Sequence, residues 1–246
     1  MKLIENKILS LSATSENSEF PASNLLDDYP RNLYQAQVGV QSASLTLLMP
    51  GGCRGFYLCN TNADVTAVLT VKTMANVVVE THELALGYYN FYNYLTANQP
   101  GIFTQIWQDY TYQEDDHKLI IDLETTEQTL NGGVTRAGIV HEFRNLNKGA
   151  QRTPKEIGVF KELADGGDYE QVFEILREWS GTLIVDFDYE YQAFMDYIYR
   201  HWRKPQAINI YNDYYQGLVF GKIFDQGDVR ATRKQNIFNI LIKEAF

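Results

Sequence analysis

A chain of 246 residues can bury a substantial core as one large or two modest domains, and its 45% apolar, 13% aromatic and 21% charged residues describe a folded chain rather than a disordered one. The formal charge of −10 opposes a phosphate backbone and so disfavours generic nucleic-acid binding, which draws on counterion release by Lys and Arg. No apolar run approaches the roughly 20 residues that cross a bilayer, and Met1 to Ser12 has neither the apolar core nor the small-residue cleavage site of a signal peptide.

Leu3 to Leu11 alternates apolar and polar residues and reads as a strand. In Phe20-Pro21-Ala22-Ser23-Asn24-Leu25-Leu26-Asp27-Asp28, Pro21 stiffens the chain, and Ser23 or Asn24 is placed to cap one helical turn. Ser44 to Leu48 is a strand with Leu45 and Leu47 on one face; Gly51-Gly52 turns the chain into a strand from Arg54 to Asn60. Val65 to Lys72 has the Val and Thr content of a pleated surface. From Leu84 to Gln108 aromatics crowd without a steady period, which predicts a packed loop or a contact surface. Lys118 to Leu123 puts Leu119, Ile121 and Leu123 on one strand face; Asn131-Gly132-Gly133 reads as a turn before a strand from Arg136 to Phe143. Short strands separated by turns predict a β-sandwich rather than alternating βα units.

Gly149 to Gly167, with Pro154, Gly158 and Asp165-Gly166-Gly167-Asp168, marks a domain boundary, placed between residues 160 and 161. Beyond it, Glu170 to Glu178 and Thr182 to Phe187 read as two strands joined near Ser180-Gly181. Asp188 to Trp202 carries Tyr191, Phe194, Met195, Ile198 and Trp202 at helical spacing, with Asp188 as N-cap and Pro205 as terminator. Strands follow at Ala207 to Tyr211, Leu218 to Phe224 and Asn236 to Lys243. The fold class is therefore mainly β: a sandwich over residues 1–160, then a smaller α+β domain over 161–246 with one amphipathic helix.

Nothing in the sequence assembles a reaction centre, so a non-catalytic role is expected, with no cofactor. His82, His117, His141 and His201 are scattered without a second His or Cys at metal-pair spacing. Cys53 and Cys59 form neither a Cys-x-x-Cys motif nor half of a zinc site, and read as reduced thiols, with a disulfide as the alternative. The acids Asp109, Glu114, Asp115, Asp116, Asp122, Glu124 and Glu127 offer hard oxygen ligands to calcium, but not at EF-hand spacing, and read more simply as solvated faces. No nucleophile elbow, phosphate loop, dinucleotide fingerprint or zincin motif occurs. Tyr88, Tyr89, Phe91, Tyr92, Tyr94 and Trp107 are the candidate contact residues, in a core, at a protein interface or on a sugar-stacking platform.

The run Ser12 to Asp27, with Pro21-Ala22-Ser23-Asn24-Leu25-Leu26-Asp27 at its end, resembles the opening of discoidin-like, or galactose-binding-like, β-sandwich modules. Ala43 to Leu47, Arg54 to Ala63 and Gly133 to Ile139 fall where such a module has its central strands, although the Trp that usually follows the Asp-rich turn is replaced near Leu33-Tyr34. Trp179 to Phe187, the amphipathic helix, Lys204 to Ile208 and the last strand to Glu244 are similar to sheet-and-helix domains of bacteriophage tail proteins. Together these resemblances imply a structural protein of a phage tail tip or baseplate, assembled in the host cytoplasm and resident in the virion. They also imply a homo-oligomer whose partners are other tail proteins, a fibre or a host glycan. A free carbohydrate-binding module and a glycan hydrolase are the alternatives.

Overall fold

The computed structural model describes residues 1–28, 33–84, 104–143, 151–162, 168–186, 190–201, 204–210, 218–230 and 235–245. They divide into two compact units. The first comprises Met1–Glu142 with Gln206–Phe220, and the second Phe143–Pro205 with Gly221–Ala245. The division is discontinuous because β14 (Gln206–Asn209) returns to pair antiparallel with β1 (Lys2–Asn6), a long-range pairing that local turn signals do not reveal.

The first unit is a two-sheet sandwich. One sheet runs β14, β1, β11 (Val134–Glu142), β5 (Cys53–Thr61), β8 (Thr104–Gln113). The other runs β2 (Ser10–Ala13), β4 (Ser42–Met49), β9 (His117–Glu124), β6 (Thr66–Thr73), β7 (Val78–Glu83), antiparallel throughout. A two-residue ladder joins β3 (Tyr34–Gln35) to β10 (Asn131–Gly132), so Asn131-Gly132 is strand rather than turn. The expected strand from Leu3 to Leu11 is in fact two, β1 and β2, one in each sheet. Leu45, Leu47, Leu69, Val71, Leu119 and Ile121 point inward from the second sheet and meet Phe56, Leu58, Ile106 and Ala137 of the first. Burying each such Leu, Ile or Phe contributes about 1.5–3 kcal/mol, which is what clamps the sheets together.

A 3-10 turn, Ala22–Leu26, sets Leu25 into this core. Its Ncap is Pro21, without a side-chain cap; Asn24 instead donates from Nδ2 to the Leu33 carbonyl at 2.9 Å, and Glu16 accepts the Ala22 N–H at 2.9 Å. Asn24 therefore ties the loop to a neighbouring segment rather than capping its own turn.

In the second unit the strands lie in the order β12 (Gln151–Glu162), β13 (Asp168–Asp186), β16 (Gln235–Glu244), β15 (Leu218–Arg230), the last entering from the first unit. One expectation is corrected here. β13 runs unbroken through Ser180-Gly181, because Ser180 pairs with Gln151 on one side and Leu241 on the other. At the edge of these strands β12 tolerates Pro154, because an edge strand need not offer every N–H to the ladder. Helix α1 (Glu190–Arg200) buries Phe194, Tyr197 and Ile198, at i, i+3 and i+4. The Phe194 ring lies 5.1 Å from Phe143 and 5.0 Å from Phe238. The predicted N-cap Asp188 and the helix-ending Trp202 lie outside the described residues. Mainly β, with a sandwich and, among the described residues, one amphipathic α-helix, is the fold observed.

Candidate functional site

At one end of the sandwich three turns converge. Gly51-Gly52, between β4 and β5, is bound to the β8–β9 turn: the Gly51 N–H donates to Asp116 Oδ1 at 3.2 Å and the Gly52 N–H to the Gln113 carbonyl at 2.8 Å. Gly52 has φ +89°, a left-handed conformation that favours glycine. The β6–β7 turn is closed by Asn76 at φ +65° and by the Val77 N–H donating to Thr73 Oγ1 at 3.2 Å. Lys118 Nζ reaches across to Asn76 Oδ1 at 2.9 Å, tying that turn to the root of β9.

Between these turns lies a hollow of about 590 Å³, lined by Thr73, Met74 and Ala75 on one side and by Gln113, Glu114, Asp115, Asp116 and His117 on the other. That volume falls in the range of about 300–1,000 Å³ that suits a small ligand. Its surface is chemically mixed. Glu114, Asp115 and Asp116 are exposed carboxylates, Gln113 offers an amide, and Met74 is a half-exposed thioether wall.

The floor is rigid. His117 is 1% exposed, with Nδ1 3.1 Å from the Asp115 carbonyl and Nε2 3.1 Å from the Tyr110 hydroxyl. A carbonyl only accepts, so Nδ1 carries the proton and Nε2 receives the Tyr110 O–H. This arrangement holds the neutral imidazole, and burial accordingly pushes the His117 pKa below its ordinary value. Burial pushes the Tyr110 hydroxyl the other way, well up. Beside the hollow, Glu80 of β7 accepts the Thr111 N–H at 2.6 Å and the Thr111 hydroxyl at 3.0 Å, so a carboxylate covers part of the outer edge of β8.

Of the candidate contact residues, Tyr88, Tyr89, Phe91, Tyr92 and Tyr94 lie outside the described residues. Trp107 lies in β8 at 4% exposure, edge-on to Tyr57 at 6.3 Å, with Nε1 donating to Asp109 Oδ1 at 2.9 Å. Its ring presents no open stacking face. Of the acids offered to calcium, Glu114, Asp115 and Asp116 line the hollow, whereas Asp109 pairs with Lys2 at 2.5 Å, Asp122 accepts from the Ser44 hydroxyl, and Glu127 accepts from Asn62 at 2.7 Å. Among the described residues no three His, Cys, Asp or Glu side chains are grouped to hold a metal ion. Cys53 and Cys59 are both buried and free, and burial pushes the Cys53 thiol up to about 11.

The residues that sequence reasoning missed are Thr73, Met74, Ala75 and Gln113. Nothing local links the 73–75 stretch to the 113–117 stretch, which lies some forty positions on; only the pairing of β6 with β9 brings them together.

No family model and no curated protein matches this chain. Solved structures do. Chitosan-binding module 1, derived from a chitosanase/glucanase of Paenibacillus sp. IK-5, is similar at 12% identity and a TM-score of 0.37, over 54% of this chain and 94% of that one. CpGH89CBM32-5 from Clostridium perfringens, solved in complex with GalNAc-β-1,3-galactose, is similar at 13% identity and a TM-score of 0.37, over 52% and 94%. The structure of reduced XRCC1 bound to the DNA pol beta catalytic domain has a chain similar at 14% identity and a TM-score of 0.38, over 56% and 98%. Likenesses of this degree assign no ligand to this chain.

Proposed function

We propose that this chain is a non-catalytic binding module whose sandwich recognises a glycan at the hollow between the β6–β7 and β8–β9 turns. The observation that carries the reading is the hollow itself: its volume fits a sugar or two, and its walls combine acceptors with one apolar surface. Carboxylates and the Gln113 amide suit the many hydroxyl donors of a sugar, while Met74 gives a ring's C–H face somewhere to rest. The turns that build it are bonded to one another by Gly51, Gly52 and Lys118, so little ordering is left to do on binding.

The test is a glycan array followed by titration calorimetry on any sugar retained. A charge-assisted hydrogen bond lost to alanine is worth about 1.5–3 kcal/mol, so Asp115→Ala and Glu114→Ala should each weaken binding by about tenfold or more. Retention of no glycan, or binding indifferent to both substitutions, overturns the proposal.

A second reading, assembly within a phage tail tip as the sequence resemblance implies, is favoured by one observation. At the edge strand β7 and the turn before it, Val77, Val78 and Val79 are 62%, 53% and 43% exposed. Such an edge is a template for a neighbouring protein. On this reading Val78→Lys abolishes co-purification with the protein encoded beside it, and leaves glycan retention unchanged.

A further inference from the structure

The outward face of the second sheet carries its charge in an ordered way. Across the strands, the row nearest the ends of β4 and β9 away from the hollow is Ser42, Glu124, Thr66, and the next is Ser44, Asp122, Val68, Glu83. The third row is Ser12, Thr46, Ile120, Thr70, Thr81, without a charge. The fourth is Ser10, Leu48, Lys118, Lys72, Val78. Acids therefore occupy one end of the face and lysines the other, about 14–20 Å apart at some 3.4 Å per residue. Leu48, Ile120 and Val68, all half-buried, run diagonally between them.

A two-fold axis lying in the plane of the face and crossing the strands at Ile120 reverses the strand direction in the second copy. It lays Lys118 of one copy over Asp122 of the other, Lys72 over Val68 between Asp122 and Glu83, and Ile120 over its own symmetry mate. A face with acids at one end and bases at the other is complementary to itself under that operation, as an isologous contact requires. A neutral glycan would gain nothing from the separation of charge. Five strands about 4.8 Å apart and about eight residues long give roughly 600 Å² per copy. Two such faces reach about 1,200 Å², the lower end of specific interfaces.

We infer that this chain forms a weak symmetric dimer through the outer face of the β2–β4–β9–β6–β7 sheet. The dimer stands independently of the glycan reading, since the hollow lies beyond the end of the face and not on it. Lys118 remains available to it: one of its three ammonium N–H groups goes to Asn76 and two are left over.

The experiment is sedimentation velocity on the full chain from micromolar to millimolar concentration. The weight-average mass should rise towards twice that of the chain. Lys72→Glu with Lys118→Glu should weaken association by about tenfold or more, because the symmetry repeats every altered contact. Adding Asp122→Lys and Glu83→Lys to the same chain should restore it, and circular dichroism shows that each variant is folded. A monomer at every concentration, a dimer indifferent to the lysine reversal, or a four-fold swap that fails to rescue would each overturn the inference. So would a bound glycan protecting this face from hydrogen exchange.

Discussion

The two sheets of the sandwich share a core and differ in what lies on their other sides. In the second sheet only the inward residues are buried: β9 alternates strictly, with His117, Leu119, Ile121 and Leu123 inside and Lys118, Ile120, Asp122 and Glu124 outside. In the first sheet both sides are buried. Phe56 and Leu58 face the core, while Tyr57, Trp107, Val134, Arg136 and Val140, on the opposite side, are also at most 6% exposed. The lesson is where function has room. A two-sided sheet has spent its surfaces on packing, and Trp107 with it; the turns and outer face of the one-sided sheet remain open to partners.

If that contrast is right, substitutions on the outward side of the first sheet are felt as core substitutions. The largest effect is expected at Gly138 of β11, where an added Cβ would run into the Glu5 carbonyl oxygen of β1 and sit 3.0 Å from the Lys7 nitrogen. Both are backbone and cannot swing aside. Gly138→Val should cost about 3 kcal/mol or more, read from the urea midpoint. Thr46→Val on the outward side of the second sheet should stay within about 0.5 kcal/mol. Equal costs at the two sites would dissolve the distinction.

Next in size is Arg136. Its side chain is 5% exposed, under the Asp28 carboxylate at 2.8 Å, and donates to the carbonyls of Asp27 at 2.9 Å and Thr135 at 2.8 Å. The guanidinium also lies 5.1 Å from the centre of the Phe220 ring. Burial lowers its pKa, against the pull of Asp28, without making neutrality accessible near pH 7. Arg136→Met leaves two carbonyls without this donor and should cost about 2–3 kcal/mol. Asp28→Asn, at a side chain 51% exposed, should cost under about 1 kcal/mol. A reversed order would show that the ion pair, rather than the carbonyl contacts, holds the 22–28 loop to β11.

The same contrast explains what the sequence disclosed. Ser44 to Leu48 and Lys118 to Leu123 were legible because one wet face and one dry face write a period of two. The run from Leu84 to Gln108 hid the start of β8, since a strand buried on both sides has no polar beat: Ile106 and Trp107 are adjacent and both are buried. β7 escaped notice for the opposite reason, being apolar where it is exposed, at Val78 and Val79. The mainly β class and the helix at Glu190–Arg200 follow from periodicity, and the hollow does not, because its two walls meet only through the register of β6 with β9.

The smallest effect expected is also the most specific to the one-sided sheet. His117 is the one inward residue of β9 that titrates, and it sits where the core meets the floor of the hollow. Its folded pKa is depressed below 6.5, chiefly by burial. An unfolded chain therefore takes up the proton first as pH falls, and binds more protons than the folded one. Stability from this residue is complete above pH 6.5 and declines as pH drops below it towards the folded pKa. His117→Gln keeps a side chain able to bond Tyr110 but removes the titration. Its urea midpoint should thus vary less between pH 7.5 and pH 5 than that of the parent chain. Any glycan held in the hollow should share that dependence in the parent, because protonating Nε2 forces the Tyr110 hydroxyl to turn and disturbs the β8–β9 turn that carries Glu114 and Asp115. An unchanged pH slope in the variant would place the titration elsewhere in the chain.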